Sequence, residues 1–285
     1  MPVCLVSTNH LTDRLWFRDD EDFRVGMNLV AILAYSMGIP VLAFILMSNH
    51  VHFVLACNES DALRFITEFK RRYSQYFQRK YGSPSLLARN ENDIRNVGFS
   101  NESLERIIAY VQMNCVAANI CSHPTQYRWG TGSCFFSSNI PDGLPLGEMS
   151  KRRQARLLHS EENLPATFRM LSAGYIDPGS YVQSQIVEKL FRTPERYNYF
   201  LFSSSKAKIK LERNPLPSFR DQTILRSIPD LCQSLFKTDC VEKLEDGQMT
   251  ELLRQLRFRF SADIAQLARV LSLSTEKVVG LLDNV

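Results

Sequence analysis

His50 and His52 flank Val51 in the stretch Met47-Ser48-Asn49-His50-Val51-His52, between the apolar runs Val41-Leu42-Ala43-Phe44-Ile45-Leu46 and Phe53-Val54-Leu55-Ala56. On a strand the side-chain period is two, so both imidazoles share one face while Val51 points to the other. Such a pair is a ready grip for one divalent metal ion, although two polar residues on an exposed strand would show the same spacing. The other histidines, at positions 10, 123 and 159, are scattered along the chain. Tyr110 and Asn114 stand four residues apart in a helical stretch, so they project from one face, one turn from each other. A phenol is a poor nucleophile at neutral pH, its pKa being about 10. Beside a metal that polarises a phosphate, it can attack phosphorus and store the bond as a phosphotyrosine ester. The carbonyl oxygen of Asn114 would then be a third ligand beside the imidazoles. Taken singly, Tyr110 reads as a core or interface residue, and only the combination points to chemistry.

The elements that must position these groups follow from period and punctuation. Cys4 to Thr8 reads as a first strand, and Asp20 to Met37 carries Phe23, Met27, Val30, Leu33, Ala34 and Met37 at helical spacing before a Gly38-Ile39-Pro40 break. Two strands joined by a tight polar connection then hold the His pair. From Leu63 to Gly82, six basic residues (Arg64, Lys70, Arg71, Arg72, Arg79, Lys80) face one acid, Glu68, and alternate with aromatics on a predicted helix. A solvated helix face is one reading, and a phosphate-binding face, with Lys70, Arg71 and Arg72 as DNA contacts and Tyr76 as a stacking surface, is the other. Ser83 to Phe99 reads as an irregular loop that contacts substrate. Ser100, Asn101 or Ser103 would cap a helix from about Leu104 to Ala118. The sum is an α+β layer, an antiparallel sheet with packed helices.

Length and composition set the frame around this layer. The chain has 285 residues, 45% of them hydrophobic, enough for one large domain or two ordinary ones. Its seven cysteines form no CxxC pair, which predicts free thiols in a reducing compartment and a cytoplasmic protein. No window approaches the length of a membrane span. The net charge of +4 does not itself declare a polyanion partner.

Four segments, in order, resemble the single-tyrosine HUH transposases, and among them the REP-associated tyrosine transposases of the IS200-like type. They are LWFRDDEDFRVGMNLVAILAYSMGIPVLAFIL, the signature MSNHVHFVL, the basic-aromatic FITEFKRRYSQYFQRKYG, and LERIIAYVQMNCVAANICSHPTQYRWGTGSCFF with its Pro-x-x-Tyr-x-Trp tail. The resemblance covers about residues 3 to 137. It implies a ferredoxin-like antiparallel sheet with packed helices, the HUH endonuclease fold, over residues 1 to 140. His50, His52 and Asn114 would hold Mg²⁺ or Mn²⁺, and Tyr110 would attack single-stranded DNA at hairpin or palindromic repeats. The product would be a 5′-phosphotyrosine and a 3′-hydroxyl, as in DNA nicking, transposition and recombination. Cleavage would fail below about pH 6 as the imidazoles protonate. The resemblance allows the site to form within one chain or across a homodimer. This chain departs from the family's Tyr-Ile-His-x-Asn-Pro at Gln112 and Cys115. The missing proline predicts a helix that runs on, and the missing histidine predicts loss of an auxiliary contact.

Residues 141 to 285 would form a second, mostly α-helical region after a linker at Pro141 to Gly147. Residues 261 to 284 read as a helix-turn-helix around Ser272-Leu273-Ser274, with Ser272 where glycine is usual, or as a plain helical hairpin. The alternative function is a DNA-binding protein that keeps the HUH fold with reduced or lost catalysis. A metal hydrolase unrelated to DNA would need a water-activating carboxylate, and the motif contains none.

Overall fold

The structure, a computed structural model, describes residues 2–11, 14–82, 87, 90–98, 102–118, 120–137, 142–203, 219–238, 240–260 and 262–283. Strand β1 (Cys4–Thr8) leads to helix α1 (Asp20–Ser36), hairpin strands β2 (Val41–Met47) and β3 (His50–Leu55), helix α2 (Glu59–Tyr81) and strand β4 (Asn92–Asn96). The four strands form one antiparallel sheet in the order β2-β3-β1-β4. With βαββαβ connectivity, this is the split βαβ arrangement. Local chemistry sets the helix ends. Asp19 caps α1 by accepting from Asp22 N, and Gly38 just beyond that helix adopts φ +63°. Asn58 caps α2 by accepting from Asp61 N, and Gly82 closes it at φ +66°. A left-handed residue after a helix is where glycine avoids the Cβ clash.

The sheet has two unlike faces. Phe53 meets Phe65 and Phe69 of α2 with ring centroids 5.3 and 5.4 Å away, so α1 and α2 cover the face opposite the histidines. The other face is covered by helix α3 (Ser103–Gln112), which packs on β2 and β3 and continues, after Met113, as the short helix α4 (Asn114–Ala117). The stretch after α4 runs back along the edge of β2: Leu46 N donates to Trp129 O, Thr131 N to Phe44 O, and the Tyr127 hydroxyl to Leu46 O. The Pro-x-x-Tyr-x-Trp tail is therefore a brace for the hairpin strand, with Trp129 stacked on Phe23 at 4.8 Å.

Three expectations change here. The segment 83–99 is not irregular throughout, because Asn92–Asn96 is an edge strand paired with β1; of its other positions, 83–86, 88–89 and 99 lie outside the described residues. The run NDIRN carries one apolar residue, and β1's open edge recruits it through backbone hydrogen bonds. The helix expected over 104 to 118 is interrupted at Met113 although no proline stands there. Asn114 donates its amide to the carbonyls of Tyr110 (2.9 Å) and Val111 (3.3 Å), a side chain replacing the backbone ladder at that turn.

The third change concerns the boundary at 140/141. Pro141 lies outside the described residues, but the rest of the expected linker is structured: Leu144–Pro145 (β5) pairs with Arg169–Met170 (β6), and Leu146 is buried. One hydrophobic core runs from Val3 to Leu201 and takes in α5 (Lys151–Leu158), α6 (Ser184–Phe191) and α7 (Pro194–Ser203). Asn28 of α1 joins this later segment to the sheet, donating to Leu157 O and accepting from Ile176 N. A second core, from Ile224 to Val278, belongs to α8 (Asp221–Phe236), α9 (Asp246–Phe260), α10 (Ile264–Leu271) and α11 (Thr275–Asp283). The region after residue 141 is mostly helical, as expected, but its first part belongs to the sheet domain.

Candidate functional site

Register builds the site. β1 pairs with β3 so that Ser7 lies opposite His52, and the His52 Nδ1 is 2.8 Å from the Ser7 Oγ. On the other side of the hairpin, Met47 pairs with His50, leaving Ser48 and Asn49 as a two-residue turn. Asn49 fixes His50 in a single orientation. Its amide nitrogen donates to Leu11 O at 2.9 Å, so its oxygen faces His50 and accepts from Nδ1–H at 2.9 Å. That tautomer leaves the His50 Nε2 with a lone pair, and this atom is buried without a hydrogen-bond partner at normal geometry among the described residues. Both rings are nearly inaccessible, at 5% and 3% relative exposure, and their centroids lie 4.9 Å apart.

The tyrosine helix brings the second half. Tyr110, half-buried on α3, meets the edge of His52 with ring centroids 5.6 Å apart in the same chain. Asn114 lies close enough to His50 to support its protonated form, which an amide oxygen does and an amide nitrogen does not. The two carbonyls that hold the Asn114 amide nitrogen explain why its oxygen turns inward. Burial, reinforced by the charges of His52, His10 and Arg269, nevertheless holds the His50 imidazole well below its ordinary pKa. His50 therefore stays neutral, the form that ligates metal, to a lower pH than an ordinary imidazole does.

The donor set fits a divalent cation. An imidazole whose Nδ1 is anchored by a second group, with Nε2 buried and unpartnered, is the usual arrangement of a histidine ligand, and His50 has it. His52 has its Nδ1 held in turn by a hydroxyl, that of Ser7. Among the described residues no three His, Cys, Asp or Glu side chains form a ligand group, so a cation here would have to take the two imidazoles together with the Asn114 amide. Such a set leaves coordination positions for water and phosphate oxygens, as Mg²⁺ and Mn²⁺ require.

Other residues stand differently from their expected places. Lys70 is buried with its ammonium on the Asn90 carbonyl, and burial pushes its pKa down to about 8. Arg71 grips Glu68 through two nitrogens (2.7 and 2.6 Å), and Arg72 bridges Glu68 (2.7 Å) and Glu162 (2.8 Å). These three do not flank the histidines, because α2 lies on the opposite face of the sheet and its guanidinium groups are paired with acids one turn away or across the fold. Tyr76, on the same helix, donates to Asp22 and lines a separate cleft with Arg71, Arg72 and Arg79. Gln112 is buried and donates to Thr131 Oγ1 at 2.6 Å, two positions beyond Tyr110 and turned away from it. Cys115 is buried with its thiol on the Gln112 carbonyl. The two departures from the family pattern thus sit in packing.

Two neighbours escaped the sequence reading. Ser7 emerges once strand register is known. His10 stacks on His50 with centroids 3.7 Å apart and planes 12° apart; its signal was its place just past the end of a strand antiparallel to the His strand. A cleft of about 190 Å³ opens at His50, bounded by His10, Asn49 and Tyr127 on one side and by Arg220, Asp221 and Arg269 on the other.

The C-terminal unit forms that second wall. Residues 264 to 283 form two helices joined by a short turn, with Ser272 in the left-handed conformation at φ 55°, an arrangement that the helix-turn-helix and the plain hairpin share. The first of these helices, α10, sends Gln266 and Arg269 to Asp221 beside the cleft. All seven cysteines are free, and among the described residues no helix is long and apolar enough to cross a membrane. Comparison of the chain with family models, with curated proteins and with solved structures gave no match.

Proposed function

We propose that this protein is a metal-dependent single-stranded DNA endonuclease and transposase of the single-tyrosine HUH type, acting at hairpin or palindromic repeats. The observation that carries the reading is the meeting of Tyr110 with the edge of His52, within one chain and across sixty residues of sequence. The split βαβ sheet, with the His pair on one face and the tyrosine helix laid over it, supports the HUH endonuclease fold. Site assembly inside one chain supports a tyrosine acting in cis.

His50, His52 and the Asn114 oxygen would hold Mg²⁺ or Mn²⁺, which when bound draws charge from a non-bridging phosphate oxygen. The chain's own residues do the rest. Asn49 and Ser7 hold the imidazoles in orientation. The Tyr110 oxygen attacks phosphorus in line. The Tyr110 O–P bond forms, the P–O3′ bond breaks, the phenolic proton passes to solvent, and the departing 3′ oxygen takes up a proton to become a hydroxyl. The 5′-phosphate stays on Tyr110, and attack by a 3′-hydroxyl reverses the step and rejoins the strand. Reversal needs no nucleotide cofactor because the ester conserves the bond.

The experiment is incubation of labelled hairpin-bearing single-stranded DNA with protein and Mn²⁺, read as a covalent adduct on a denaturing gel. Adduct with the wild type and none with Tyr110→Phe supports the enzyme. Tight, salt-dependent DNA binding with no adduct on any hairpin favours the alternative, a DNA-binding protein that keeps this fold.

A further inference from the structure

The turn that carries His50 cannot hold its own shape. Two-residue hairpin turns favour positive φ at their central positions, and neither Ser48 nor Asn49 adopts it. The turn is held from outside. The Ser48 carbonyl accepts from Trp16 N (2.8 Å) and Phe17 N (3.2 Å), and Asn49 is tied to Leu11. The remaining tie comes from the far end of the chain: Ser48 Oγ donates to Asp221 Oδ2 at 2.5 Å. Asp221 opens α8, is 4% exposed, and accepts in addition from Gln266 (2.8 Å) and Arg269 (3.2 Å) of α10. Beside it, Gln222 donates to Phe17 O at 2.7 Å, so two successive residues of α8 grip the turn and one of the residues that hold it.

We infer that Asp221 is a positioning residue for His50, and that the C-terminal helical unit is thereby a working part of the metal site. The inference rests on the metal-site reading above. A carboxylate held by two side chains of another helix is a fixed acceptor, and it fixes the Ser48 hydroxyl and with it the turn. Asn49 then presents its oxygen to the His50 Nδ1, and the Nε2 lone pair keeps its direction. The second wall of the cleft and the orientation of the first ligand thus depend on one buried anion. Loosening the C-terminal unit would broaden the orientations of His50 without altering its chemistry.

The test is Mn²⁺ binding to the full chain, measured by the electron paramagnetic resonance signal of the free ion, together with thermal melting. Groups that orient a metal ligand directly are worth about 10- to 100-fold in affinity, and Ser48 acts one residue further out. Ser48→Ala and Asp221→Asn should each weaken Mn²⁺ binding by about three- to tenfold, with the double variant no weaker than the worse single one. Asp230→Asn, on the exposed side of α8, should change nothing. Ser48→Ala keeps Asp221 on Arg269 and Gln266, so it tests the tie even where Asp221→Asn unseats the helices. In DNA cleavage, kcat should fall with KM held. A lowered melting temperature with Mn²⁺ affinity unchanged in Ser48→Ala would overturn the positioning role and leave the metal reading standing. A wild-type chain that binds no Mn²⁺ would overturn both.

Discussion

At the scale of single residues, the site depends on amide orientation. Asn49 and Asn114 each turn their nitrogen onto backbone carbonyls and their oxygen toward His50. His50 held below its ordinary value of 6.5 has a thermodynamic consequence. Between the lowered folded value and 6.5, the unfolded chain binds a proton that the folded chain does not, so stability is full above about 6.5 and falls on acidification. Chemical denaturation of wild type between pH 7 and 5 should show that fall, and His50→Gln should show a shallower one; parallel curves would remove His50 as its source. Gln112→Ala should cost about 1 kcal/mol, since it removes one buried hydrogen bond while the Thr131 hydroxyl keeps both of its partners on Phe44, and leave Mn²⁺ affinity unchanged. A change in affinity would return Gln112 to the site. His50, His52, Tyr110 and Asn114 were legible because periods of two and four survive folding. His10 and Ser7 were not, since register between distant strands brings them in. Lys70, Arg71 and Arg72 stand away from the histidines, and charge counting could not show that Glu68 pairs with both arginines or that Lys70 turns onto the Asn90 carbonyl.

At the scale of elements, strands and helices with strong apolar period stood where the sequence placed them, down to the break at Gly38. β4 escaped because an edge strand with one apolar residue has no pattern of its own. The break at Met113 escaped because a side chain, not a proline, makes it. Two substitutions probe this level. Gly130 lies against β2 so closely that an added Cβ would stand 2.8 Å from the Phe44 carbonyl oxygen, so Gly130→Ala should cost about 1 to 3 kcal/mol in chemical denaturation. An unchanged midpoint would mean that the brace along β2 is loose. Ser272 holds φ 55° between α10 and α11, so Ser272→Gly should stabilise the C-terminal unit by up to about 1 kcal/mol. Destabilisation would mean that the Ser272 side chain contributes more than the backbone strain costs.

At the scale of the whole molecule, two cores meet at one cleft. The sequence suggested a catalytic domain ending near residue 140 and an appended helical region. The folded chain instead extends the sheet domain to Leu201 and brings the helical unit back to the His50 turn. That return was invisible in sequence because Asp221 and Ser48 lie 173 residues apart and neither carries a motif. What the molecule presents is a buried imidazole pair, a tyrosine beside it, and a cleft whose far wall comes from the second core. The measurement that bears on this most directly is the covalent adduct between the protein and hairpin-bearing single-stranded DNA in Mn²⁺. The account predicts an adduct with the wild type, loss of it in Tyr110→Phe, and strong loss in His50→Ala and His52→Ala. An adduct that persists in Tyr110→Phe would contradict it.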